Sequence, residues 1–252
     1  MIIDAPLPQQ IPALRALWKE AFGDSDSFLD CFFGTAFSPD RCRCATEDGQ
    51  LLAALYWFDC SAEKQSLAYL YAIATAKHCR GRGICRALME NTHEHLRARG
   101  YGGALLVPST RDLFTFYQKL GYAAWGSIGT LRCSAAEEAV SLRAIGVEEY
   151  AARRRALLPQ GGVVQEGENL RFLQAQASLF ATDRALLAAR GEGDTLLGLE
   201  LLGDLSQAPA ITKALGYAEG QFRAPEGTDP FAMLHSLQGQ PLTPGYFGLA
   251  FD

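Results

Sequence analysis

At 252 residues, with 48% hydrophobic and 20% charged residues, the chain has the balance of an ordinary globular protein and enough apolar content for a sizeable core. No apolar run is long enough to span a bilayer, and no basic stripe suggests nucleic acid, so membrane and nucleic-acid partners are excluded. The net charge of −5 is uneven: residues 1–135 hold 14 Lys/Arg against 13 Asp/Glu, and residues 136–252 hold 9 against 15.

Met1-Ile2-Ile3-Asp4-Ala5-Pro6 carries neither a basic n-region nor an apolar h-region, so the expected compartment is the cytoplasm. Cys31, Cys42, Cys44, Cys60, Cys79, Cys85 and Cys133 form no C-x-x-C pair and no His/Cys cluster at zinc spacing. Free, mostly buried thiols and no metal are expected.

In chain order, Met1–Ala5 reads as an edge strand. Ile11, Leu14, Leu17, Trp18 and Phe22 recur at helical spacing up to Gly23. Asp24-Ser25-Asp26-Ser27 offers N-caps for a second helix with Phe28, Leu29, Phe32 and Phe33. Arg41–Glu47 and Leu51–Phe58 are strands joined by the hairpin signal Asp48-Gly49. Asp59–Gln65 reads as a polar loop, and Leu67–Thr75 as a central strand.

Arg80-Gly81-Arg82-Gly83-Ile84-Cys85 then turns the chain into a helix that runs to Arg99. The first N–H groups of a helix lack intrahelical partners, and its dipole makes that end positive. Two glycines admit close approach to the backbone. Lys77, Arg80, Arg82 and Arg86 add positive charge. The turn reads as a phosphate or pyrophosphate cradle, with a basic surface turn as the alternative.

Ala104–Val107 is a buried strand expected to run parallel to Leu67–Thr75. A helix carrying Leu113, Phe114, Phe116, Tyr117 and Leu120 follows and ends at Gly121. Tyr122–Cys133 reads as closing strands. Ala135-Ala136-Glu137-Glu138 is read as a linker dividing the chain into domains 1–135 and 136–252.

Beyond the linker, Ser141–Ile145 reads as a strand and Glu148–Leu157 as a helix whose Arg153-Arg154-Arg155 run is a solvated face. Asn169–Ala177 reads as a helix. Ser178–Ala189 and Thr195–Leu202 pair around Gly191-Glu192-Gly193-Asp194, and Tyr246–Phe251 is the last strand. Leu120-Gly121-Tyr122 recurs as Leu215-Gly216-Tyr217, 95 residues on. Either two copies of one architecture or a chance reuse of a helix stop accounts for the echo. His93 and His95 are expected to be solvated, and no histidine stands at metal or triad spacing.

The order from residue 1 to 133 resembles the GCN5-related N-acetyltransferase (GNAT) superfamily. Arg80-Gly81-Arg82-Gly83-Ile84-Cys85 matches its Gln/Arg-x-x-Gly-x-Gly/Ala acetyl-CoA signature, with Cys85 as a departure. Phe116-Tyr117-Gln118-Lys119-Leu120-Gly121-Tyr122 matches the family's Phe-Tyr-x-Lys-x-Gly-Phe/Tyr helix end. The opening helices, Trp18 to Phe33, resemble bacterial members.

The resemblance implies an α/β (α+β) fold with a mixed sheet flanked by helices, and two tandem GNAT-like domains, the second degenerate and without the cofactor motif. It implies acetyl-CoA as co-substrate. The pyrophosphate would lie on Arg80, Gly81, Arg82, Gly83, Ile84 and Cys85, and the pantetheine arm along Ile73, Ala74 and Thr75. A backbone N–H near Ala74 would stabilise the oxyanion, and Tyr117 would protonate the thiolate. Taken by its helix alone, Tyr117 reads as a core aromatic on an amphipathic helix.

The implied activity is transfer of acetyl to an amine of a small molecule or peptide. A non-catalytic acyl-CoA sensor or an interaction module on the same scaffold is the alternative. The base is open: Tyr69 and Tyr71 stand where relatives carry a carboxylate, and Glu47, Asp59 and Asp252 are the candidates from elsewhere. Thr110 stands where relatives carry an Asn at the start of the Tyr-bearing helix.

Overall fold

Every strand expected in the first half of the chain is present in the computed structural model, which describes residues 1–239 and 242–251. Asp252 lies outside the described residues. The chain divides into two compact units. The first holds Met1–Leu106, Thr110–Ala123 and Leu234–Leu242; the second holds Val107–Ser109, Ala124–Met233 and Thr243–Asp252.

The first unit opens with β1 (Ile2–Asp4), α1 (Ile11–Phe22) and α2 (Asp26–Thr35). Gly23, at φ 78°, ends α1, and Ser25 caps α2 by accepting from the Phe28 N–H at 3.2 Å. The sheet then grows by β2 (Cys42–Glu47), β3 (Gln50–Ala62), β4 (Gln65–Thr75) and β5 (Gly103–Leu106). The strands are antiparallel except β4 and β5, which pair in parallel from Leu67↔Gly103 to Tyr69↔Leu105.

The expected Asp59–Gln65 loop is not there: β3 runs to Ala62 and β4 starts at Gln65. Glu63 and Lys64, at φ 48° and 68°, make the two-residue turn. Their side chains give none of the Gly or Asn signal that such turns usually carry. The helices α3 (Ile84–Ala98) and α4 (Arg111–Gln118) complete this unit. An aromatic core joins α1 and α2 to the sheet: Trp18 lies 4.7 Å from Phe32 and 5.6 Å from Tyr71 between ring centroids.

The second unit contains β6 (Ala123–Ser134), β7 (Arg143–Ala144), α5 (Val147–Leu157), β8 (Val164–Gln165), α6 (Glu168–Gln176), β9 (Ser178–Ala181), β10 (Ala185–Glu192), β11 (Thr195–Gly203), α7 (Ala208–Ala214) and β12 (Glu219–Ser236). Its strands follow the order β12-β11-β10-β9-β7, with β6 along β12. Phe222, Leu201, Leu187 and Ile211 sit in its apolar core. The last residues of β12 belong to the first unit, where β5 lies next to them.

The Leu-Gly-Tyr echo has the same geometry twice. Gly121 and Gly216 take φ 84° and 81°. Tyr122 N–H donates to the Tyr117 carbonyl at 3.1 Å, and Tyr217 N–H donates to the Thr212 carbonyl at 3.1 Å.

Three expectations fail in this unit. Ser178–Ala189 is not one strand: it breaks after Ala181 into β9 and β10, which pair antiparallel from Leu186↔Ala181 to Ala189↔Ser178. Arg154 does not belong to a solvated face: it is 2% exposed and holds the buried Glu200 carboxylate through Nε at 2.6 Å and Nη2 at 3.0 Å. Tyr246–Phe251 is buried but is no strand. Its carbonyls are satisfied instead by Val163 N–H at Tyr246 (2.8 Å), Gln165 Nε2 at Leu249 (2.9 Å) and Arg223 Nη1 at Ala250 (3.2 Å).

Candidate active site

The Gly/Arg turn lies where β4 gives way to α3. Gly81 and Gly83 take φ 79° and 77°, the left-handed region that glycine enters without a Cβ penalty. A Cβ built on either would meet nothing within 4 Å, so the backbone there faces open space. Gly83 is also the N-cap of α3. The helical ladder begins with Ala87 N–H to the Gly83 carbonyl at 3.1 Å, which leaves the N–H groups of Ile84, Cys85 and Arg86 ahead of it.

Around the turn, Arg80 Nε donates to the Thr75 carbonyl at 3.2 Å. Arg82 reaches the Glu47 carboxylate at 3.0 Å. Glu47 is therefore engaged at the turn, and the hydrogen bond and charge of Arg82 hold its carboxyl below the usual range.

Beside the turn, β4 is irregular. Ala72 takes φ 48°, an unfavourable conformation for a residue with a Cβ. The register with β3 passes from Tyr56↔Tyr71 to Ala54↔Ala74, so Ala72 and Ile73 form a bulge opposite Leu55. On the other side, the pairing of β4 with β5 stops at Tyr69↔Leu105. Ile73, Ala74 and Thr75 thus lie on a stretch of β4 beyond its last pair with β5. Tyr71, Ala72, Ile73 and Thr75 are half-buried there, and Ala74 is buried. The bulge has no signal in the sequence Tyr71-Ala72-Ile73-Ala74, which reads as an uninterrupted strand.

Tyr117 lies on α4 with 8% of its surface exposed. Burial, with the nearby Cys85 thiol, pushes its pKa well above the usual phenol range. Its hydroxyl makes no hydrogen bond among the described residues. Cys85, in the first turn of α3, is pushed up to about 11, chiefly by burial, so it is a neutral thiol at physiological pH. Thr110 is the N-cap of α4 but makes no side-chain cap bond.

The remaining base candidate among the described residues is Asp59, which pairs with Ala68 across the β3–β4 ladder. Seven residues of strand separate Ala68 from Thr75, about 20 Å at the usual rise. Asp59 accepts from the Tyr101 hydroxyl at 2.5 Å and sits away from the turn. Tyr69 and Tyr71 stay with the aromatic core: their rings lie 5.8 and 5.5 Å from that of Phe58.

His93 overturns its expected solvation. It is 5% exposed, and its Nε2 lies 2.8 Å from the Tyr122 hydroxyl. His95 is half-buried beside Trp57, at 5.9 Å between rings. No group of three or more His, Cys, Asp or Glu side chains among the described residues could hold a metal ion. No helix among them is long and apolar enough to cross a membrane.

Residues 6–125 match the family model described as an acetyltransferase (GNAT) domain. No curated protein matches the chain by sequence. Among solved structures, the chain is similar to a GCN5-related N-acetyltransferase from Kribbella flavida, with TM-score 0.74, 17% identity, and 92% of this chain and 70% of that one covered. It is similar to Eis1 from Mycobacterium abscessus, with TM-score 0.68, 14% identity, and coverage of 94% and 74%. It is also similar to a putative acetyltransferase from Pyrococcus horikoshii, with TM-score 0.64, 15% identity, and coverage of 99% and 94%. At these identities the structural likeness speaks to the fold, and it agrees with the mixed sheet flanked by helices read from the sequence.

Proposed function

Because the chain belongs, through residues 6–125, to the GCN5-related N-acetyltransferase superfamily, we propose that it transfers an acetyl group from acetyl-CoA to an amine. The observation that carries this reading is the pair of left-handed glycines, Gly81 and Gly83, with open space over their backbone at the start of α3. Acetyl-CoA, when bound, supplies the activated thioester.

The roles of the chain's own residues follow from their placement. The N–H groups of Arg80 to Cys85 and the positive end of α3 suit the pyrophosphate. The stretch Ile73–Thr75, beyond the last β4–β5 pair, offers backbone for a pantetheine arm to bond as an added strand. A backbone N–H near Ala74, next to the Ala72 bulge, stabilises the oxyanion as the acceptor nitrogen attacks. Tyr117, a protonated phenol at neutral pH, gives its proton to the departing thiolate. The acceptor nitrogen attacks in its neutral form; as the C–S bond breaks, the proton that the nitrogen sheds passes through water to the Tyr117 phenolate and restores the phenol. The acceptor is an amine on a small molecule or peptide.

The second unit is read as a degenerate copy of the first: the Leu-Gly-Tyr stop recurs in it with the same hydrogen bonds, and the Gly/Arg turn does not. Release of CoA thiol in a panel of monoamines, polyamines, aminoglycosides and peptides tests the activity. Turnover with at least one amine, lost on Tyr117→Phe, is the expected result. Tight acetyl-CoA binding with no turnover on any amine would move the reading to a non-catalytic acyl-CoA sensor.

A further inference from the structure

Three side chains from three separate stretches meet behind Tyr117. His93 comes from the middle of α3, Tyr122 follows the stop of α4, and His235 arrives on the late segment Leu234–Leu242. The His93–Tyr122 hydrogen bond, at 2.8 Å, is buried. The His235 ring stacks on that of His93 at 4.3 Å between centroids and 13° between planes. His235 Nδ1 donates to the Gly121 carbonyl at 3.0 Å.

Gly121 is required for that contact, since a Cβ there would meet His235 Nδ1 at 2.9 Å. The Tyr122 ring in turn meets Tyr117 edge-on at 5.7 Å, and its N–H holds the Tyr117 carbonyl. Tyr122 therefore touches the Tyr117 ring with its side chain and the Tyr117 backbone with its own.

We propose that His93, Tyr122 and His235 are positioning residues that fix the Tyr117 hydroxyl for proton donation. The proposal rests on the reading of Tyr117 as the general acid. A side chain loose by one ångström loses much of its catalytic value, and a buried hydrogen bond to the neighbouring ring removes that freedom.

The His93–Tyr122 pair is suited to this because it stays uncharged. Burial, with His235 and Arg97 adding to it, pushes the His93 pKa down to about 3. Burial pushes that of Tyr122 up, with Tyr117 and Cys85 adding. The bond thus joins two neutral groups at physiological pH, and no charge in it repels or attracts the proton of Tyr117.

The test combines steady-state kinetics with fluorine NMR of protein labelled with 3-fluorotyrosine, the Tyr117 resonance being assigned by its loss in Tyr117→Phe. His93→Leu and Tyr122→Phe are expected to move the Tyr117 resonance. They should lower kcat on the order of tenfold to a hundredfold while KM for acetyl-CoA stays within about a factor of two. His93→Gln, which can still reach the Tyr122 hydroxyl, should restore most of kcat, and the double variant should lose little more than either single one. His95→Leu, on the same helix but beside Trp57, should leave both readouts alone.

If His93→Leu does not fold, Tyr122→Phe carries the test by itself. A Tyr117 resonance that stays in place in the folded variant overturns the proposal. So does a His93→Gln variant as impaired as His93→Leu. If the wild type transfers acetyl to no amine, the function reading fails, and the resonance still decides whether these residues hold Tyr117.

Discussion

The Arg82 guanidinium lies 3.0 Å from the Glu47 carboxylate, so one positive charge of the Gly/Arg turn is already engaged by an acid from β2. The carboxyl of Glu47 is held low, so the pair is complete above the ordinary carboxyl range and is lost only as pH falls through the lowered value. At neutral pH a bound pyrophosphate must share Arg82 with Glu47. Glu47→Gln is therefore expected to tighten acetyl-CoA binding a few-fold at low salt. The gain should fade at high salt, because both groups are exposed and screened. Calorimetry at two ionic strengths checks this; unchanged affinity at low salt would count against a pyrophosphate at this turn.

Tyr117→Phe removes the proposed acid while keeping the ring that packs on Tyr122. The expected loss in kcat is on the order of a hundredfold or more, with little change in KM for acetyl-CoA. The pH profile adds a second check. The raised pKa keeps Tyr117 protonated through the ordinary phenol value, so its deprotonation produces no falling limb below about pH 10. A wild-type kcat that drops between neutral pH and that value would contradict the assignment.

Arg154 and Glu200 form the buried ion pair of the second unit, with side chains 2% and 0% exposed. Removing one partner strands a charge in an apolar core, and Arg154→Met or Glu200→Leu should each cost about 3–5 kcal/mol of stability. The double variant should recover much of that loss, because no unpaired charge remains. Urea denaturation of the three variants measures the difference; additive losses would contradict the account.

The sequence was most legible where local chemistry decides the backbone. Asp48-Gly49, Gly23, Ser25 and the Leu-Gly-Tyr stops all act within a few residues, and their turns and caps are where they are expected. The Gly/Arg turn was legible for the same reason. The Glu63-Lys64 turn was not, because the two left-handed residues are not the types that favour that conformation.

Long-range effects were hidden. Nothing in Ala72 announces a bulge, which depends on the register of β4 against β3. Arg154 sits in a run of three arginines, and partners outside its helix turn it inward: Glu200, 46 residues away, and the Val163 carbonyl. His93 has the polar neighbours Asn91 and Glu94 on its helix, and its partners Tyr122 and His235 are set by tertiary packing. The 18-residue β12 was missed because Gly220, Pro225, Gly227 and Pro230 break its pattern.

Calorimetric titration of acetyl-CoA into the wild type and Gly83→Glu decides whether the Arg80–Cys85 turn binds the co-substrate. A Cβ at Gly83 meets no neighbour, so the variant bears only the local cost of its left-handed backbone and is expected to fold. Its carboxylate stands at the N-terminus of α3, where the pyrophosphate is expected. Saturable one-to-one binding is expected for the wild type, and its loss is expected in the folded variant. Equal binding by the two proteins, or none by the wild type, would contradict binding at this turn.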